Sequence, residues 1–206
     1  LDPGLRRDDK IRNGFRLSIY GITTKLMRIK RENTVGLVID FQERLYPFIH
    51  DNDTLTKNTV RLIQGLKALG LDIIVTEQYS KGLGNTIKPV QDALGDYKHI
   101  EKMSFSCCGS DDVCSVLKSR GKKNVVICGI ESHVCVLQTV IDLIGLGYQP
   151  VLVEDCVSSR NPNDKRIAIE RMRLEGAIVT TYESVLFEMC EVSGTEMFKA
   201  ISRIVK

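Results

Sequence analysis

The sequence predicts an α/β protein of three layers, α/β/α, built on a six-stranded parallel sheet with strand order 3-2-1-4-5-6. Three observations carry the prediction. Short apolar runs rich in β-branched residues recur along the chain, apolar enough to be buried on both faces as parallel strands are. Segments with apolar residues at helical spacing separate them. Gly70, Gly121 and Gly176 close three of those segments shortly before the next strand. Alternating strands and helices give βαβ units with right-handed crossovers. One reversal of winding then leaves a crevice at the carboxyl ends of the central strands.

Residues 34–39 (TVGLVI) are the first strand, which ends at Asp40. Asp53 and Thr54 can cap the next helix, whose Leu55, Val60, Leu62, Ile63, Leu66 and Leu69 share one face. Residues 73–76 (IIVT) are the second strand and bring Glu77, Gln78 and Tyr79 to the same edge. SKGLGNTIKP reads as a Gly-rich loop with neither phosphate-loop nor dinucleotide spacing, so it is assigned no nucleotide. A short helix at 89–94 precedes a short third strand at 99–103 (HIEKM), with Lys102 near its end. After the polar turn SFSCCGSDD, Asp111 and Asp112 open a helix that stops at Gly121. Residues 125–127 are the fourth strand, broken by Gly129. Ser132 is the N-cap of an apolar helix from about 133 to 145. The fifth strand is 150–153, and NPND at 161–164 caps a helix over 165–175. Residues 177–180 are the sixth strand, and 182–190 and 196–205 are closing helices.

The chain of 206 residues carries a net charge of +3, unevenly spread. Residues 1–33 hold nine Lys/Arg and four acids, for +5, whereas the rest sums to −2. The body is therefore not basic enough to read as a nucleic-acid surface, and nucleic acid is an unlikely partner. Residues 1–33 form a basic N-terminal extension and 34–206 the folded domain. Met27 stands shortly before the first strand, and residues 1–26 are read as extraneous or without stable structure. A targeting segment or an RNA-binding arm are the sharper alternatives for the basic head. No apolar run is long enough for a membrane helix, so no membrane is expected. Seven cysteines, an odd number with no secretory signal ahead of them, read as reduced thiols. A cytoplasmic location follows, or a mitochondrial one if the extension is genuine. With three scattered histidines, none of the cysteines has zinc-ligand spacing, so no metal is expected.

The stretch NVVICGIESHVCVLQTVIDLIGL places Cys135 in the first turn of a helix that follows a buried strand. The helix dipole and free N–H groups there favour a thiolate and could hold an oxyanion. Taken alone, Cys135 reads more readily as a buried, inert cysteine, the commoner fate of a free Cys. None of the three histidines suits as its base. His50 follows the first strand on a surface segment. His99 begins the third strand away from the crevice, and His133 lies at i−2 on the same helix, facing elsewhere. The strand-end carboxylate Asp40 and the cation Lys102 remain.

VIDFQ at 38–42, EQYSKGLG at 77–84, EKMSFSC at 101–107 and GIESHVCVLQT at 129–139 together resemble the isochorismatase-like cysteine hydrolase superfamily, over nearly all of 34–190. They look most like its isochorismatase-domain-containing subgroup. The resemblance implies an Asp–Lys–Cys triad of Asp40, Lys102 and Cys135, with Asp40 taking the thiol proton. It also implies a cis peptide between Ile130 and Glu131, which turns the Glu131 N–H toward an oxyanion beside that of Cys135. Phe41, Gln42, Gln78, Tyr79, Phe105 and His133 are candidate pocket residues. The nicotinamidase branch binds a metal through an Asp-x-His…His motif, and this chain has no histidine from 51 to 98. No metal and no cofactor are therefore expected. The siderophore isochorismatases lack the cysteine, so Cys135 points to the thiol-dependent hydrolases. The implied activity is hydrolysis of a small amide or related C–N substrate by a homo-oligomer. The rival readings are an idle binding or scaffold member of the same fold and an RNA-associated protein.

Overall fold

The computed structural model describes residues 16–19, 22–25 and 28–206. Strands β1 (Arg16–Ile19) and β2 (Ile22–Lys25) pair as an antiparallel ribbon in a stretch the sequence analysis leaves without structure. The β-branched residues Ile19, Ile22, Thr23 and Thr24 favour that extended backbone. Arg31–Asn33 makes one 3-10 turn, and Ile29 already packs in the core with its N–H donated to Glu188 Oε1 at 2.8 Å.

The main sheet is laid down in alternation with helices. In chain order it comprises β3 (Thr34–Ile39), α1 (Asn52–Ala68), β4 (Ile73–Gln78), α2 (Ser80–Leu83), α3 (Lys88–Leu94), β5 (His99–Lys102) and α4 (Asp111–Arg120). It continues with β6 (Asn124–Ile130), α5 (Leu137–Gly145), β7 (Gln149–Ser158), α6 (Pro162–Glu175), β8 (Ile178–Thr180), α7 (Tyr182–Cys190) and α8 (Glu196–Val205). The strand order is β5-β4-β3-β6-β7-β8 with every pairing parallel. Counted from β3, this is the predicted 3-2-1-4-5-6. The two strands that leave the switch point, β3 and β6, are neighbours, so their carboxyl ends border one crevice.

Side chains alternate across the sheet and build two cores. Val35, Leu37 and Ile39 of β3 face the layer of α4, α5 and α6, packing with Leu117, Val140 and Met172. Val38 faces the opposite layer of α1, α3, α7 and α8, with Leu62, Leu66, Val90 and Leu186. Both faces of β3 are buried along its whole length, which is why the run TVGLVI carries no polar alternation.

Several boundaries differ from the sequence reading for identifiable reasons. Gly129 does not break the fourth strand, because β6 runs on to Ile130. Its role is close approach to β3: a Cβ there would lie 2.5 Å from Ile39 Cβ and 2.6 Å from Ile39 O. Gly129→Ala is accordingly expected to cost about 3 kcal/mol, with a fall of roughly 10 °C in melting temperature by scanning calorimetry. A variant that melts with the wild type would refute the packing argument. The fifth strand also extends past Asp155 to Ser158. There the β6–β7 register slips, Ile127 pairing with Leu152 but Gly129 with Val157, so β7 bulges around Glu154 and Asp155. The Gly-rich loop contains the short helix α2. Among the described residues no helix is long and apolar enough to cross a membrane.

Candidate active site

Asp40 is the first residue after β3, and the chain turns sharply there. It adopts a left-handed conformation, φ 55°, which Asp tolerates better than most residues. Its N–H donates to Thr76 O at 3.2 Å, and its C=O accepts the Gln42 N–H at 2.7 Å. The carboxylate is fully buried. Oδ1 accepts the Thr76 hydroxyl at 2.8 Å, and Oδ2 lies 2.6 Å from Lys102 Nζ.

Lys102 ends β5 two strands away. Its ammonium is buried and donates to Asp40 Oδ2, to Ser104 O at 3.1 Å and to Phe105 O at 3.0 Å. An ammonium has three protons, so all of its donors are used. The pair is thus solvated by the protein rather than by water, the condition under which a buried ion pair persists.

Cys135 lies in Ser132–Val136, a π-helical turn that leads β6 into α5. Glu131 takes the cap position there, and Ser132 makes no capping bond. Its hydroxyl is buried without a partner among the described residues. The Cys135 thiol donates to Gln78 Oε1 at 3.2 Å. Burial pushes this thiol well up from its ordinary value, and the Asp40 charge adds to that while Lys102 opposes it. The helix terminus, which favours a thiolate, is thus opposed by desolvation and by the neighbouring Asp40 carboxylate. Cys107, buried behind the pair, is likewise pushed up to about 11 by burial first and Asp40 second.

Two contacts lock the Lys102 loop to the helix that follows Cys135. The Cys107 N–H donates to Thr139 Oγ1 at 2.9 Å, and Thr139 Oγ1 donates to Cys135 O at 2.7 Å. One turn on, Ser106 Oγ donates to Asp142 Oδ2 at 2.5 Å. The carbonyls that hold Lys102 are therefore tied to the turn that carries Cys135. Thr76, Thr139 and Asp142 escaped the sequence analysis. The available signal was Thr139 at i+4 from Cys135, a polar residue on the buried face of an apolar helix.

The candidate pocket residues divide. Gln78 reaches the thiol, and Tyr79 and Phe105 are exposed at 46% and 52%. Phe41 does not line a pocket; the turn at Asp40 sends it into the α1 core, fully buried. Gln42 is also fully buried. Its carboxamide accepts the Gln78 N–H at 2.8 Å and donates to Gln78 O at 3.0 Å and Gly84 O at 2.7 Å. His133 Nδ1 pairs with Ser159 Oγ at 3.0 Å. The Ile130–Glu131 peptide is cis, and Glu131 Oε2 accepts both the N–H and Nε–H of Arg160, at 3.1 and 3.0 Å. A cavity of about 370 Å³ lined by Arg44, Leu45, Phe48, Glu131 and Arg160 adjoins this peptide. Among the described residues, no three His, Cys, Asp or Glu side chains gather as metal ligands.

A family model for the Isochorismatase domain matches residues 34–184. The chain is 36% identical over 183 residues to isochorismatase domain-containing protein 1 of Danio rerio, covering 89% of this chain and spanning 64% of that protein's length. Among solved structures it is similar to the MAR1 ribonuclease of Caenorhabditis elegans, with a TM-score of 0.82, 36% identity, and coverage of 87% and 92% of the two chains. The YcaC gene product of Escherichia coli, described as an octameric hydrolase of unknown specificity, shares the fold at a TM-score of 0.83, 22% identity and coverage of 88% and 91%. The likeness to a ribonuclease overturns the expectation that nucleic acid is an unlikely partner, which rested on the charge of the body alone.

Proposed function

The chain belongs to the isochorismatase family, and from that premise we propose that it is a metal-independent hydrolase that cleaves a small amide or related C–N substrate through Asp40, Lys102 and Cys135. The observation that carries this reading is the fully buried ammonium–carboxylate pair, 2.6 Å apart, beside a buried thiol. Such an arrangement can move a proton internally. Asp40 takes the thiol proton while Lys102 keeps the carboxylate oxygens placed and offsets the new thiolate charge. The sulfur bonds to the substrate carbonyl carbon, and the C=O π pair moves to oxygen, where the N–H groups of Glu131 and Cys135 would receive it. When the oxyanion collapses, the C–N bond breaks and the Asp40 proton leaves on nitrogen. Water then hydrolyses the thioester with Asp40 as base. The β4 edge offers Gln78 and Tyr79 rather than a metal-binding pair, which supports chemistry by the thiol alone. Seven free thiols fit a reducing compartment such as the cytoplasm. Assembly into a homo-oligomer is part of the reading, and exposed Phe48, Met103 and Phe105 offer apolar contact surface.

The pH profile of Cys135 alkylation by iodoacetamide tests the internal transfer. Passing the proton from Cys135 to Asp40 changes no net charge, so the wild-type rate is expected to stay flat between pH 7 and 9. In Asp40→Asn the thiol, still raised by burial, must ionise to solvent, and its rate is expected to climb about tenfold per pH unit. A wild-type profile with that same slope would remove Asp40 as the base.

A second reading is favoured by the MAR1 ribonuclease likeness: RNA as the substrate or ligand of this site. Exposed Phe48, Tyr79 and Phe105 could stack unpaired bases, with Arg44 and Arg160 meeting phosphates. Incubation with a labelled single-stranded RNA tests it. Cleavage lost in Cys135→Ala, with binding that weakens steeply as salt rises, supports this reading. Intact RNA and no salt-dependent binding would dismiss it.

A further inference from the structure

The thiol proton of Cys135 has two acceptors and can go to only one of them. Gln78 Oε1 holds it at 3.2 Å, while the Asp40 carboxylate acts on the same thiol by its charge. Gln78 is firmly placed for this. Its backbone N–H and C=O are both clasped by the carboxamide of the buried Gln42, which is itself anchored to Gly84 O. The Gln78 side chain is left half-buried at the crevice, with its own NH2 making no hydrogen bond among the described residues. A neutral carboxamide oxygen is not basic enough to remove a thiol proton, so the bond it makes holds the nucleophile in its unreactive form.

We propose that Gln78 is a further catalytic residue, a keeper of the Cys135 proton whose hold a substrate amide N–H loosens. The proposal rests on the hydrolase reading of this site. On binding, a substrate N–H donates to Gln78 Oε1, the oxygen is then shared between two donors, and its hold on the thiol weakens. The S–H bond then turns to Asp40, the proton crosses to its carboxylate, and the sulfur pair attacks the carbonyl carbon. The NH2 of Gln78 lies on the same side chain and can face the substrate's remaining polar atoms. The substrate class narrows accordingly to primary and N-monosubstituted amides. Esters, thioesters and N,N-dialkyl amides lack the donor and leave the thiol held.

Two alkylating probes that differ only in that donor test the idea on the full chain: iodoacetamide and its N,N-dimethyl analogue. Labelling of Cys135 is followed site by site by mass spectrometry, and the rate ratio is divided by the ratio for glutathione. The wild type is expected to prefer iodoacetamide by about tenfold, the worth of one well-placed hydrogen bond at a buried group. Gln78→Leu is expected to erase the preference. Because Gln42 clasps the backbone of Gln78 and not its side chain, this variant leaves the strand end anchored. A preference that survives in Gln78→Leu is steric and overturns the proposal, as does a wild type that labels equally with both. A Cys135 that neither probe labels faster than the other six cysteines overturns the hydrolase reading itself, and this proposal with it.

Discussion

Cys135→Ala is expected to lower kcat/KM on an amide substrate by about 10⁴-fold or more, the scale seen when a nucleophile is removed from a preorganised site. The fold should survive. Cys135 is nearly buried but small, and its backbone is held by Thr139 Oγ1 and the π-turn rather than by the sulfur. Loss of one buried sulfur atom costs about 1 kcal/mol. Cys135→Ser sharpens the result. A hydroxyl keeps the bond to Gln78 but gives up its proton far less readily, so Asp40 cannot activate it and turnover should stay near the alanine level. The measurement is a panel of small amides and imides run against wild type and both variants, with thermal melts alongside. Full activity in Cys135→Ala would end the cysteine-hydrolase reading.

Lys102→Met should unsettle the fold as well as the chemistry. The variant leaves the Asp40 carboxylate fully buried with only the Thr76 hydroxyl on it, and strips the donor from Ser104 O and Phe105 O. Removing one partner of a buried pair costs about 3–5 kcal/mol, because the other charge stays behind. A chain of this size should lose roughly 10 °C in melting temperature. Adding Asp40→Asn removes the stranded charge, so the double variant is expected to melt above Lys102→Met while remaining inactive. Additive losses in the double variant would show that the two groups are not coupled, and the buried pair would then lose its place in the mechanism.

How far the sequence disclosed this molecule depends on which forces set each feature. β3 and the helices α7 and α8 stand where the sequence reading places them, since local pattern and burial agree there. Gly129 was misread because a glycine signals a break locally, whereas its cause here is the nearness of Ile39 on another strand. β7 was cut short at Glu154 because a bulge carries that exposed acid within a strand that continues. In the site, the strand ends carrying Asp40 and Lys102 were legible from alternation of elements. The left-handed turn at Asp40 was not, and it decides that Phe41 and Gln42 go inward. The surroundings of the Cys135 thiol are hidden from the sequence for a related reason. Helix position is written in the sequence, but the desolvation that opposes it comes from the packed surroundings.

The three bonds made by the Lys102 ammonium have a consequence for how the site responds to its medium. With no proton left to offer, Lys102 acts as a fixed counter-charge rather than a hand extended to the substrate. In the proposed mechanism the proton passes between two groups that share its field, and the protein's total charge stays constant as the thiolate forms. Ions in solution, screened from a pair with no exposed surface, have little to act on. The acylation rate should therefore be indifferent to ionic strength, and any salt dependence of turnover would belong to the arrival of substrate.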